Sequence, residues 1–317
     1  MYQLKKCSVN LLPNENLSIK SGHDGSIAYV SDGTLIFSME AEKDSFKRHS
    51  PITPNVLFEA MSHIQDIPDI IAIGGWIKGV GYSENITTLS DAGYYGIKKD
   101  SLVSYVTTFL GKKINRFSAS HELSHLMCAY GMSPLEQGEP CYALIWEGKL
   151  GDFYEIDKNV NITHIGTVLD QPGFRYCLPY WIADNFSTKE LSTAGKMMAL
   201  ASYSNFSEPC KEEKDILDFI FSYLGIIHEL NRKDFKFSPF LNIGVQSNEF
   251  KNLAGNISIN LFNRFHSFAE KHLINKYPLL ISGGCGLNST WNTLWKDSGL
   301  FSDVFIPPCA NDSGSAI

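Results

Sequence analysis

The sequence predicts an α/β protein in two lobes, each opened by a strand–turn–strand unit. Three observations support this. The 317 residues are 44% hydrophobic and 19% charged, enough to bury a large core as one big domain or two smaller ones. A strand–turn–strand pattern occurs twice, as SIAYV-SDG-TLIFSME (26–40) and as CYALIW-EGK-LGDFYEI (141–156). Each copy is followed by helical runs and short apolar strands, an internal echo that places the lobes at 1–138 and 139–317.

In the first half, a helical run from Pro54 (PNVLFEAMSHI) precedes the strand DIIAIGG (69–75). A polar loop rich in Ser, Gly and Tyr follows, then a predicted helix SLVSYVTTFLG (101–111), a short strand NRFSAS (115–120) and a helix carrying His121 and His125. In the second half THIGTVL (163–169) reads as a third strand. Helices are predicted over 173–186, 211–230 and 248–274, then strand LLISGG, helix STWNTLWKD and strand DVFIPP. The aromatic run GFRYCLPYWIADNF (173–186) reads either as core or as an acceptor-pocket lining. Duplicated strand–turn–strand units followed by helices are the grammar of the actin-like fold of sugar kinases and heat-shock ATPases. In that fold a ligand sits in the cleft between the halves.

Charge and cysteine usage exclude several classes. A net charge of -7 argues against a duplex-binding surface, and the run Lys47–Arg48, with Lys43 upstream, is too short for a nucleic-acid patch. No apolar run approaches the roughly 20 residues of a membrane span, and MYQLKKCSVN has no apolar signal region. The seven cysteines are scattered and never in Cys-x-x-Cys, which points to a reducing cytoplasm.

Five stretches could carry chemistry. His121 and His125 stand four apart, so on a helix both imidazoles leave one face, as metal ligands or merely as neighbours. GHDGS (22–26) is an ordinary turn or a place where His23 and Asp24 approach a ligand. SGGCGLNS (282–289) joins a strand to a helix and matches neither common phosphate-loop signature, although its glycines allow close backbone approach. In PPCANDSGSA (307–316), Asp312 either caps a helix or acts as a hard ligand. Glu147 occupies the second hairpin turn, where carboxylates are usually solvated.

In order, these stretches resemble the nodulation-type O-carbamoyltransferases over about residues 17 to 317. GHDGSIAYVSDGTLIFSMEAEKDSFKRH resembles the family's "HD-A-S-A-A-L … DG … E-E-R-F-T-R … K-H". SHELSHLMCAYGMSP resembles "H-H-L-A-H-A-A-S-A-F … S-P", and STAGKMMALASYS resembles "E-G-K-V-M-G-L-A-P-Y-G". SGGCGLNSTWN and PPCANDSGSA resemble "G-G-V-A-L-N-C-x-x-N" and "P-A-A-G-D-A-G-x-A". The resemblance implies an actin-like domain that binds carbamoyl-adenylate, holds an iron-type metal (manganese and zinc being alternatives), and passes a carbamoyl group to an acceptor hydroxyl. It puts the metal ligands at His121, His125, Glu147 and Asp312. It puts nucleotide contacts at Gly283, Gly284, Asn288 and Lys196, and His23 near the reacting group as a candidate base. Two departures stand out: Glu147 replaces the family's usual Asp, and Ala194 replaces the glutamate before Gly-Lys.

The resemblance also implies a following YrdC-like domain that makes carbamoyl-adenylate from carbamoyl phosphate and ATP. The sequence ends at Ile317, so the expectation is either a fragment or a shortened protein that takes the adenylate from a YrdC-like partner, and an uncovered apolar face could form a homodimer. The expected substrate partner is a small hydroxylated metabolite, with neither nucleic acid nor membrane involved. The alternatives are a tRNA threonylcarbamoyl transferase-like protein, a non-enzymatic scaffold relative and a generic metallohydrolase.

Overall fold

The structure, a computed structural model, describes residues 15–76, 92–98 and 102–317. Cys7 and most of the polar loop between 75 and 101 lie outside the described residues.

The first sheet comprises β1 Glu15–Lys20, β2 Ser26–Ser31, β3 Thr34–Glu40, β4 Ile70–Gly74, β5 Val103–Phe109 and β6 Lys112–Ala119, in the order β3-β2-β1-β4-β6-β5. The second comprises β7 Cys141–Trp146, β8 Gly151–Ile156, β9 Ile162–Thr167, β10 Leu279–Ser282 and β11 Val304–Phe305, in the order β11-β10-β7-β8-β9. Both follow one plan. An antiparallel three-strand meander supplies its first strand, β1 or β7, as the edge onto which later strands add in parallel. Two further parallel steps, β4 to β6 and β10 to β11, extend each sheet.

Local sequence explains most elements. Asp32 and Gly33 both take left-handed φ (48° and 73°), the two-residue turn that matches strand twist between β2 and β3. Ser120 caps the histidine helix His121–Met132 by accepting from Leu123 N at 3.0 Å. Ser247 caps the long helix Asn248–His272 in the same way.

Three elements differ from expectation. The segment 101–111, expected as a helix, forms β5 where it is described. Val103, Val106, Thr107, Thr108 and Phe109 are strand formers, and Leu110–Gly111 turn the chain back to pair it with β6. The apolar spacing imitated a helical face. The polar stretch ENLSIK forms β1 because it pairs on both edges, with Leu17 in the core. The helix expected over 211–230 ends at Ser222.

The second lobe carries the larger core. Trp146 stacks on Trp291 at 4.5 Å, with Phe265 and Trp295 around them. The aromatic helix Pro172–Ala183 belongs to this core, as almost every residue in it is buried. The first-lobe core is smaller, built on Leu17, Ile27, Tyr29, Val56, Ile71 and Ile73. The closing turn Asp312–Ala316, a single 3-10 turn rather than a longer helix, ties the lobes together. Ser26 Oγ donates to Ser313 O at 2.7 Å, and Ser313 Oγ donates to Glu40 Oε1 at 2.8 Å. Among the described residues no helix is long and apolar enough to cross a membrane.

Candidate metal centre

The chemistry-bearing residues all lie just beyond the carboxyl ends of strands. His23 and Asp24 follow β1, His121 follows β6, Glu147 follows β7 and Asp312 follows β11. Crevices at strand carboxyl ends are where open α/β sheets bind ligands.

His121, His125, Glu147 and Asp312 meet there, with one ligand-type atom of each within 4.8 Å of all the others. His121 Nε2 lies 3.3 Å from Glu147 Oε2 and 3.7 Å from Asp312 Oδ2. His125 Nε2 lies 3.3 Å from Asp312 Oδ1 and 3.9 Å from Glu147 Oε2. All four residues are buried, both histidines completely. Glu147 owes its burial to a tight turn in which its N–H donates to Leu150 O and its carbonyl accepts from Gly173 N. Its carboxylate also accepts from Tyr94 OH at 2.5 Å.

The electrostatics suit a cation. Burial, reinforced by the charge of Lys20, pushes the His121 pKa down to about 4, so the ring is neutral at pH 7. Burial opposes the charge on Asp312, but His121, Lys20 and a hydrogen bond from His125 hold its pKa well below the usual carboxylate range. Glu147 is likewise lowered, by His121 against its own burial. Neutral imidazoles and ionised carboxylates form a mixed N/O donor set that fits iron, manganese or zinc. The outer contacts fit as well. Ligation through His125 Nε2 needs the proton on Nδ1, where Ser282 Oγ stands 2.9 Å away to accept it. The other ring nitrogen of His121, Nδ1, lies 3.0 Å from Lys20 Nζ, a contact that holds the ring with Nε2 toward the two carboxylates.

A second group adjoins the first. Asp24 receives His49 Nδ1 at 2.8 Å and lies 3.2 Å from His23 Nδ1. The two imidazoles stack at 4.3 Å, and His23 Nδ1 reaches Asp312 Oδ2 at 3.8 Å.

The residues expected at the nucleotide divide. Gly283 is left-handed (φ 99°), and a Cβ there would stand 2.4 Å from Trp146 O and 2.9 Å from Glu147 Cβ. The glycine turn therefore abuts the cluster, while a Cβ on Gly284 would meet open space. Asn288 caps the helix Ser289–Asp297 through Oδ1. Lys196 is exposed and lies over the Tyr180 ring, 5.5 Å from its centroid, rather than at the glycine turn.

The chain matches the family described as carbamoyltransferase N-terminus over residues 72–317. It belongs to the carbamoyltransferase family. It is 36% identical to the 3'-hydroxymethylcephem-O-carbamoyltransferase of Amycolatopsis lactamdurans over 95% of this chain and 58% of that protein. The enzyme of the same name from Streptomyces clavuligerus is 34% identical, with the same coverage. Nodulation protein U of Bradyrhizobium diazoefficiens is 27% identical over 94% of this chain and 59% of that protein. The chain thus spans under three-fifths of the length of these relatives. Among solved structures, the activator of 2-hydroxyisocaproyl-CoA dehydratase from Clostridium difficile, with bound ADPNP, covers 95% of this chain and 92% of its own at TM-score 0.50 and 10% identity. The Acidaminococcus fermentans (R)-2-hydroxyglutaryl-CoA dehydratase component A gives the same score and identity over 96% and 95%. This member of the carbamoyltransferase family shares their actin-like fold.

Sequence reasoning missed several neighbours. Lys20 closes an unrecognised strand, and Tyr94 lies in a loop without periodicity. Ser282 and His49 stand at the ends of motif stretches that assigned them no part. His-Glu-Leu-Ser-His (121–125) also spells the zinc-hydrolase pattern His-Glu-x-x-His, whose glutamate is the base. Here Glu122 accepts from Tyr154 OH at 2.6 Å and Gly96 N at 2.7 Å, so its carboxylate is committed elsewhere. The metallohydrolase alternative loses its base.

Proposed function

We propose that this chain is the transfer domain of an O-carbamoyltransferase. A carbamoyl group passes from carbamoyl-adenylate to an acceptor hydroxyl, and AMP leaves. Membership of the carbamoyltransferase family carries the reading, and the buried His121–His125–Glu147–Asp312 cluster gives it a location. A divalent ion held by those four residues, iron or else manganese or zinc, would supply positive charge to stabilise developing oxyanion or phosphate charge. The relatives named for 3'-hydroxymethylcephem suggest a small acceptor with a primary hydroxyl. The net charge of -7 disfavours the tRNA alternative.

This chain's own residues have distinct parts. The Gly283–Gly284 turn lets backbone approach the nucleotide beside the cluster, with Asn288 fixing the helix behind it; Lys196 can reach the nucleotide only by leaving Tyr180. His23 is better suited to the leaving phosphate than to proton abstraction. Burial works against its charge, but the hydrogen bond to Asp24 and the charges of Asp312 and Asp24 outweigh that and raise its pKa.

The test supplies carbamoyl-adenylate directly to the purified chain, with each metal in turn and hydroxymethyl-bearing acceptors. Supplying the adenylate makes the assay independent of the chemistry that forms it. A mass gain of one carbamoyl on the acceptor, with AMP release and loss of both on chelation, is the expected result. Activity indifferent to chelation, or release of AMP without acceptor carbamoylation, overturns the reading.

A further inference from the structure

The reading above leaves open which group takes the acceptor's proton. His23 is poorly placed for it, since its Nδ1 already faces two carboxylates, Asp24 and Asp312. His49 is placed differently. Its Nδ1 lies 2.8 Å from Asp24 Oδ1, a contact that fixes the ring and puts the proton on Nδ1. The opposite nitrogen, Nε2, is buried and has no hydrogen-bond partner among the described residues. A buried acceptor left empty is unfavourable, so a site of this kind is shaped for a donor that arrives from outside.

The backbone points the same way. Asp24 and His49 both adopt left-handed φ, 53° and 55°, and they face each other across this one hydrogen bond. Strained backbone of this kind persists where the surroundings enforce it, and it collects at functional sites. The enforcing contacts are visible: Gly25 N donates to Ser50 O at 2.8 Å, Ile52 N to Ser21 O at 3.1 Å, and His49 N to Glu42 Oε2 at 3.0 Å. The loop bearing His49 is thereby locked onto the loop that leads from β1 into the cluster. Stacking on His23 completes the placement, one ring out from Asp312.

We propose that His49, oriented by Asp24, is the catalytic residue that accepts the proton of the acceptor hydroxyl. The inference rests on the carbamoyl-transfer reading. In the step, the O–H proton passes to Nε2 while the hydroxyl oxygen bonds to the carbamoyl carbon. The bond from that carbon to the phosphate oxygen breaks, and its electron pair leaves with AMP. His49 ends as an imidazolium beside the Asp24 carboxylate and gives its proton to solvent. An Asp–His pair with a free outer nitrogen is the arrangement general-base catalysis requires.

The experiment uses the full chain with supplied carbamoyl-adenylate and acceptor. His49→Gly suits the left-handed backbone and leaves a ring-sized gap. It should lower kcat by about 100-fold or more, leave KM for the adenylate nearly unchanged, and recover activity when free imidazole is added. A rate within about threefold of wild type overturns the proposal, as does a loss that imidazole fails to rescue while the variant remains folded. A second measurement needs no activity: 15N shifts of the wild-type rings should show His49 as the Nδ1–H tautomer with a bare Nε2. A proton found on Nε2 at pH 8 overturns the role of His49 even in an active enzyme. Inactivity of wild type toward every hydroxylated acceptor instead sinks the transfer reading, and the ring tautomer then still decides whether Nε2 is available.

Discussion

Two side-chain groups lie next to each other in this protein and are held in different ways. His121, His125, Glu147 and Asp312 are enclosed, come from a helix, a hairpin turn and the closing turn, and draw on both halves of the chain. His23, Asp24 and His49 are only partly enclosed, come from two loops of the first lobe, and include two left-handed residues. The two settings divide the labour. Opposed carboxylates that are fully buried demand a permanent counter-charge, so regular structure and a dry setting suit a resident cation. A group that must meet an incoming acceptor needs a face left unfilled, and loops held by backbone hydrogen bonds supply one.

The comparison breaks most sharply at the enclosed group. Asp312→Ala or Glu147→Ala should abolish tight metal binding and lower transfer by about 1,000-fold or more, because one remaining carboxylate cannot fill the donor set. Metal content by elemental analysis, beside the rate, checks this. His23→Ala should leave metal content intact, and a metal-free His23→Ala protein would show that the two groups are one site.

The next effect is of pH on the metal-free protein. His121 has a folded pKa near 4 against an ordinary 6.5, so the unfolded chain binds the extra proton between those values. Its contribution to stability is therefore complete above about 6.5 and falls as pH drops toward 4, by roughly 3 kcal/mol at most. Asp24, depressed to about 2 from 3.8 by its two histidines against its own burial, adds a second loss at lower pH. Denaturant melts from pH 7 to 3 should show the first decline well before carboxylates begin to titrate. Saturating zinc should steepen that decline, because protons compete for the same nitrogens.

A smaller effect tests the glycine turn beside the enclosed group. Gly283→Ala places a Cβ against Trp146 O at a left-handed position and should cost about 1–3 kcal/mol. Gly284→Ala, whose Cβ meets open space, should cost less than about 1 kcal/mol while weakening AMP binding if the turn approaches the nucleotide. Denaturant midpoints and AMP titration separate the two.

The hairpins are written locally, because Asp32–Gly33 and Glu147–Gly148 turns between alternating or apolar runs encode strand reversal in the sequence. The sequence determined the histidine helix too, through its Ser120 cap and uninterrupted run, and hence that both imidazoles share a face. The ordered motifs made the family legible and named the four residues that the fold brings together, 191 positions apart at the extremes (312 − 121). Tertiary structure alone decided that 103–109 is a strand, since β propensity is realised only when a partner such as β6 is present. It alone turned Lys20, Tyr94 and Ser282 into neighbours of the cluster, because none carries a local pattern and each arrives by sheet pairing or loop packing. The clearest case is His49. It closes the first family motif, but the motif gave it no role. Its meaning comes from a hydrogen bond spanning 25 residues and a nitrogen without a partner, and both are properties of burial that a linear string does not carry.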